Sequence, residues 1–148
     1  MEIERKYLIN KLPDNLDKYE FRLIEQGYLN TEPVIRIRRD NDRYELTYKS
    51  KGLMTREEYN MPLTCEAYNH LLTKVDGIVI RKKRYMIPLS GELTIELDVF
   101  EGELSPLILA EVEFPDEESA VSFEPPFWFG KDVTFSGKYH NSFLSQLK

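Results

Sequence analysis

Charged residues recur two apart along this chain. Glu2 and Glu4, Arg36 and Arg38, Lys82 and Arg84, Glu96 and Asp98, and Glu111 and Glu113 form such pairs, and Lys6, Glu45, Lys49, Arg56 and Glu58 extend the pattern. On a β-strand this spacing sends both members to one face. Paired carboxylates suit a hard divalent cation, which takes oxygen ligands. Paired Arg and Lys suit phosphate oxygens, Arg as a bidentate fork and Lys as a point charge. Acids for a metal and bases for phosphate in one cavity are the layout for metal-assisted phosphoryl transfer to water. The competing reading is a half-exposed sheet whose charged face is simply solvated. Any one strand would fit that reading. The whole set argues against it, because nearly every strand supplies two or more charges on one parity and little Ser, Thr, Asn or Gln stands among them.

The elements that must position these residues are mostly strands. Period-two alternation runs through 2–9, 21–29, 34–39, 43–50, 54–61, 79–87, 92–100 and 109–114. Turn residues separate the runs: Asn30-Thr31-Glu32-Pro33, Asp40-Asn41-Asp42, Lys51-Gly52, Ser90-Gly91 and Gly102. Connections this short favour antiparallel hairpins. A helix is expected over 65–75, with Thr64 as its cap, and shorter ones at 13–20, 116–123 and 139–147. The expected fold is mainly β (α+β): a closed eight-stranded antiparallel β-barrel, or tunnel, with a few peripheral helices. Closure makes the charged face an interior of limited width. Charges of both signs in a dry bore are costly unless paired or occupied by a highly charged ligand.

Composition agrees with a globular protein of one domain, residues 1–148, with 41% hydrophobic and 31% charged residues. No apolar run reaches the roughly 18–20 residues of a membrane span. The N-terminal residues Met1-Glu2-Ile3-Glu4 do not resemble a secretory signal, and one cysteine, Cys65, excludes an internal disulfide framework. Both features point to the cytoplasm. A net charge of −6 argues against broad binding to nucleic acid or an anionic membrane. It leaves room for a small anionic ligand met by local cations.

The pattern resembles a known family. Glu2-Ile3-Glu4-Arg5-Lys6 is similar to the E-x-E-x-K signature of the triphosphate tunnel metalloenzymes, or CYTH superfamily. Glu25-Gln26-Gly27-Tyr28-Leu29, Arg36-Ile37-Arg38, Thr47-Tyr48-Lys49, Arg56-Glu57-Glu58, Lys82-Lys83-Arg84-Tyr85, Glu96-Leu97-Asp98 and Glu111-Val112-Glu113 resemble further motifs of that family, in its order. Gly130-Lys131-Asp132-Val133-Thr134 and Tyr139-His140-Asn141 resemble the tail that closes the tunnel. The resemblance implies cleavage of a small triphosphate with Mg²⁺ or Mn²⁺. It implies that Glu2, Glu4, Glu111 and Glu113 hold the metal, with Glu96 or Asp98 near it or near a second ion. Lys6, Arg36, Arg38, Lys49, Lys82 and Arg84 would grip phosphate oxygens, and Arg56 would join them or pair with Glu58. Lys6, Arg38, Glu58 and Asp98 are the residues expected nearest the chemistry. Small members of the family resemble tripolyphosphatases. Others act on nucleoside or thiamine triphosphates or cyclise ATP, and a non-catalytic polyphosphate-binding module would keep the fold. The resemblance also admits a homodimer.

Some positions stay open. Only one of Glu57 and Glu58 can face inward, and spacing from Arg56 favours Glu58. Lys131 is a candidate lining for one tunnel mouth, as is Lys138. His70 reads as a surface or packing residue, and His140 lacks the partners of a metal site. Cys65 reads as a small buried or partly buried side chain. Phe127, Trp128 and Phe129 read as packing, and the cluster leaves room for an organic group stacked at the tunnel mouth.

Overall fold

The computed structural model describes residues 1–147. The chain builds the expected antiparallel barrel. Its strands are β1 (Glu2–Leu8), β2 (Phe21–Thr31), β3 (Val34–Asp40), β4 (Arg43–Lys49), β5 (Thr55–Arg56), β6 (Glu58–Pro62), β7 (Asp76–Pro88), β8 (Thr94–Phe100) and β9 (Ile108–Glu113). They are ordered β5-β1-β9-β8-β7-β2-β3-β4-β6. There are nine strands rather than eight because the expected 54–61 segment is divided at Glu57. Its first part pairs with β1, with Glu2 opposite Arg56, and its second pairs with β4, with Lys49 opposite Glu58. One continuous stretch of chain thus joins both ends of the sheet and closes it.

Helices cover parts of the outside. α1 (Cys65–Leu72) is capped by Thr64, whose hydroxyl accepts from the Ala67 N–H. It is shorter than expected, ending in turns before Gly77. It lies over β3 and β4, and its buried Tyr68 packs on Tyr44 with ring centroids 5.2 Å apart. Gly27 of β2 passes close to Val75, which follows α1; a Cβ there would stand 2.6 Å from Val75 Cγ1. α2 (Glu117–Ser122) is capped by Asp116. The 13–20 segment contains only a short 3₁₀ turn, Leu16–Lys18. The tail forms α3 (Asn141–Leu144), a single turn. Cys65 is exposed, contrary to expectation, because it begins the outer helix.

Two apolar clusters frame the bore. One lies outside the barrel, where Ile3, Ile87, Ile95, Leu97, Ala110 and Val112 pack with Ala120, Phe114, Phe123, Trp128 and Phe129. Phe127 departs from the expected packing role and is 98% exposed. The other lies within one end of the barrel. Tyr28, Val34, Ile80, Phe100 and Leu109 share the parity of the charged positions on their strands, and Val133 and Leu144 of the tail complete the cluster. Inward positions therefore change from charged to apolar along the axis, and the tail stops that end.

Candidate active site

Strand alternation brings the charged residues into one narrow cavity of about 60 Å³. Glu2, Glu4 and Lys6 of β1 face Arg36 and Arg38 of β3, with Lys49, Arg56, Glu58, Arg84, Glu96 and Glu111 around them. Nine of the expected residues are buried: Glu2, Glu4, Lys6, Arg36, Lys49, Lys82, Arg84, Asp98 and Glu111. Glu58 turns inward, with Oε2 3.4 Å from Lys49 Nζ, while Glu57 is exposed. A pleated strand can send only one of two neighbours inward.

Partners divide the cations. Lys49 Nζ lies 2.9 Å from both carboxylate oxygens of Glu2. Lys6 Nζ is 3.8 Å from Glu111 and donates to the Tyr139 carbonyl at 3.0 Å. Arg84 forks onto Asp98, Nε to Oδ1 at 2.7 Å and Nη2 to Oδ2 at 2.9 Å. Lys82 Nζ reaches Asp98 Oδ2 at 2.7 Å and Asn141 Oδ1 at 2.9 Å. Arg38 and Arg56 form no ion pair within 4.0 Å among the described residues.

The acids respond to these surroundings. Burial raises the Glu4 carboxyl well above its usual range, and Glu111 and Glu2 add to the shift. Burial also opposes charge on Glu111, but Lys6, Arg84 and Lys82 overcome it and hold that carboxyl well below its usual range. Glu113 is exposed at the rim, raised by partial burial and by Glu2, Glu96 and Glu58. Among the described residues no three acidic, His or Cys side chains already converge on one point. The donor set nonetheless suits a hard divalent cation. Its groups are all carboxylate oxygens, and Glu4 sits in a crowd of like charge that such an ion relieves.

Four of the expected residues do not line the cavity: Lys82, Asp98, Glu113 and Lys131. Asp98 does not line the cavity; it is fully buried behind it, with both oxygens occupied by Arg84 and Lys82. In this geometry it is the shared counterion of Arg84 and Lys82. Lys131 is exposed on the strap beside β1, where its carbonyl accepts from the Leu8 N–H, and its side chain lines neither the bore nor the neighbouring cavity. Lys138 is also exposed and lines neither. His140 does line the neighbouring cavity, which measures about 370 Å³ and shares Val34, Arg56 and Ser142 with the bore. Charge sorting missed Gln26, Thr47, Asn60 and Asn141, which hold bore cations with uncharged groups directly or through one another. Parity was the signal that could have found Gln26, Thr47 and Asn60; Asn141 opens α3, where strand alternation has no say.

A closed antiparallel barrel with a bore of this kind defines a class of protein, and the chain belongs to it: residues 1–145 match the CYTH domain family. Within that family it is similar to the inorganic triphosphatase of Nitrosomonas europaea, 39% identical over 147 residues that cover 97% of this chain and 96% of that one. It is also similar to the inorganic triphosphatase of Acetivibrio thermocellus, 36% identical over 152 residues, covering 97% and 92%. The crystal structure of the inorganic triphosphatase NE1496 superposes with a TM-score of 0.75 at 36% identity, covering all of this chain and 96% of that one.

Proposed function

We propose that this chain hydrolyses inorganic triphosphate (tripolyphosphate) to pyrophosphate and orthophosphate, using Mg²⁺ or Mn²⁺, in the cytoplasm. One observation carries the reading: a single bore sets arginines without close carboxylate partners opposite a cluster of carboxylates, where burial first and then Glu111 and Glu2 raise the Glu4 carboxyl. The names of the two similar curated proteins support the substrate.

The roles follow from the contacts. Arg36, Arg38 and Arg56 bind phosphate oxygens, with Lys6 and Lys49 exchanging carboxylate partners for substrate. Lys82 and Arg84, already matched by Asp98, shape the adjoining wall and add their remaining hydrogen bonds. Glu2, Glu4, Glu111 and Glu113, with Glu96, hold the metal. When bound, the metal makes a water more acidic and neutralises charge on the phosphates. Net reaction adds the water oxygen to the terminal phosphorus and breaks its anhydride bond to pyrophosphate. Glu58 is held ionised by Lys49 and Arg36 against the cost of its burial, so it orients Lys49 rather than storing a proton. Purified protein incubated with tripolyphosphate and either metal should release orthophosphate. Release no faster than from Glu4→Gln rejects the proposal.

A second reading has one observation in its favour. The cavity of about 370 Å³ beyond Arg56 is lined by Leu53, Phe143, Pro33 and His140 and has room for an organic group on the triphosphate. Comparing turnover of tripolyphosphate, ATP and thiamine triphosphate separates the two readings.

A further inference from the structure

Arg36 and Arg38 are anchored by uncharged side chains. Arg38 Nε donates to Gln26 Oε1 at 2.8 Å. Gln26 is fully buried, and its Nε2 donates to the Tyr28 hydroxyl at 3.1 Å, so its amide has one orientation. Arg36 Nη2 donates to Thr47 Oγ1 at 3.0 Å, and the fully buried Thr47 hydroxyl spends its own proton on Asn60 Oδ1. Each guanidinium thus has a neutral acceptor, and that acceptor is aimed by a second neutral group. The only carboxylate within 4.0 Å of Arg36 among the described residues is Glu45, at 3.8 Å and with its side chain 38% exposed. Arg36 Nε is buried and has no partner among the described residues.

A carboxylate in place of Gln26 would hold Arg38 at least as firmly, because charge-assisted hydrogen bonds are the stronger kind, and one in place of Asn60 would stand one hydroxyl away from Arg36. Either would also offset the charge of its arginine. An amide or hydroxyl fixes the direction of a guanidinium and leaves its charge whole. Phosphoryl transfer depends on positioned positive charge around the phosphate oxygens.

We propose that Gln26 and the Thr47–Asn60 pair are positioning residues that aim Arg38 and Arg36 into the bore while keeping both charges available to the phosphate chain. They act through the arginines and do not touch substrate. The inference rests on the triphosphatase reading above. The discriminating change adds charge without changing shape. Gln26→Glu retains the acceptor for Arg38 and gives it an ion pair. Its melting temperature should therefore equal or exceed that of the wild type, while KM for tripolyphosphate rises about tenfold, worth about 1.4 kcal/mol. Asn60→Asp acts on Arg36 only through Thr47 and also gives up the Asn60 Nδ2 donor to Glu58 Oε1 at 3.4 Å, so it should raise KM in the same direction by a smaller factor. A merely structural role predicts the opposite: altered stability with KM of the folded fraction unchanged. Wild-type KM in both folded variants overturns the proposal. Calorimetric titration with tripolyphosphate gives the affinity independently of turnover. If the wild type binds without turning over, the triphosphatase reading fails, and the same loss of affinity in the two variants still decides this inference.

Discussion

The two walls of the bore hold their arginines in opposite ways. On the wall formed by β7, β8, β9 and β1, every cation has a carboxylate within 4.0 Å: Lys82 and Arg84 share Asp98, and Lys6 faces Glu111. On the wall formed by β2, β3 and β4, Lys49 is paired as well, with Glu2 and Glu58, but Arg36 and Arg38 lean on Thr47 and Gln26, and the partly exposed Glu45 stands 3.8 Å from Arg36. A buried cation whose charge is already matched mainly holds structure, since removing either partner leaves an uncompensated charge. A buried cation on a neutral tether retains its field for a ligand. Residue type alone therefore does not say which bore arginines keep their charge unmatched; the partner does.

Four changes break or sharpen this contrast. Asp98→Asn should be the most severe, costing about 3–5 kcal/mol in a denaturant titration because Lys82 and Arg84 lose their shared counterion. Near-native stability with lost metal affinity would make Asp98 a ligand and dissolve the contrast. Next, Glu4→Gln should lower metal-dependent turnover by about 100-fold while leaving the fold intact. The Glu4 carboxyl is raised in the folded chain, so the metal-free wild type should lose stability as pH climbs above 4.5 and through that raised value. Glu4→Gln should remove that part of the loss, which melting curves at several pH values would reveal. Arg38→Ala should raise KM and lower kcat together, by about tenfold in kcat/KM, as expected for one charge-assisted hydrogen bond. The smallest effect concerns His140, which lies near Lys6, Arg56 and Lys49. Burial and these cations push its imidazole down from 6.5 to about 4. Folding favours the neutral ring, so stability present above pH 6.5 is lost as pH falls toward 4. His140→Asn should flatten that slope in acid denaturation.

Parity makes much of this molecule legible in its sequence. Alternation identified the strands and placed Glu2, Glu4, Lys6, Arg36, Arg38, Lys49, Arg56, Glu58, Arg84, Glu96 and Glu111 around one cavity. It also carried information that charge sorting passed over. Tyr28, Val34, Ile80, Phe100 and Leu109 lie on the same parity, and they form the apolar stop at one end. Gln26 and Thr47 do too, but a neutral residue gives no sign of its work until its partner is known. Asp98 and Lys131 failed for different reasons. Alternation cannot say how deep an inward carboxylate sits, and a motif-like match in the tail does not say which way a loop lysine points. The division at Glu57 was invisible because both halves of 54–61 alternate alike while pairing with different neighbours.

That division has a mechanical consequence. The hem between the first strand and the two-residue Thr55–Arg56 strand is the shortest in the barrel, so it is where the wall should part at least cost. Glu2 and Arg56, on the two lips of that hem, are both bore residues. Local opening along so short a seam would separate those two bore residues while the longer pairings held the rest of the cylinder together.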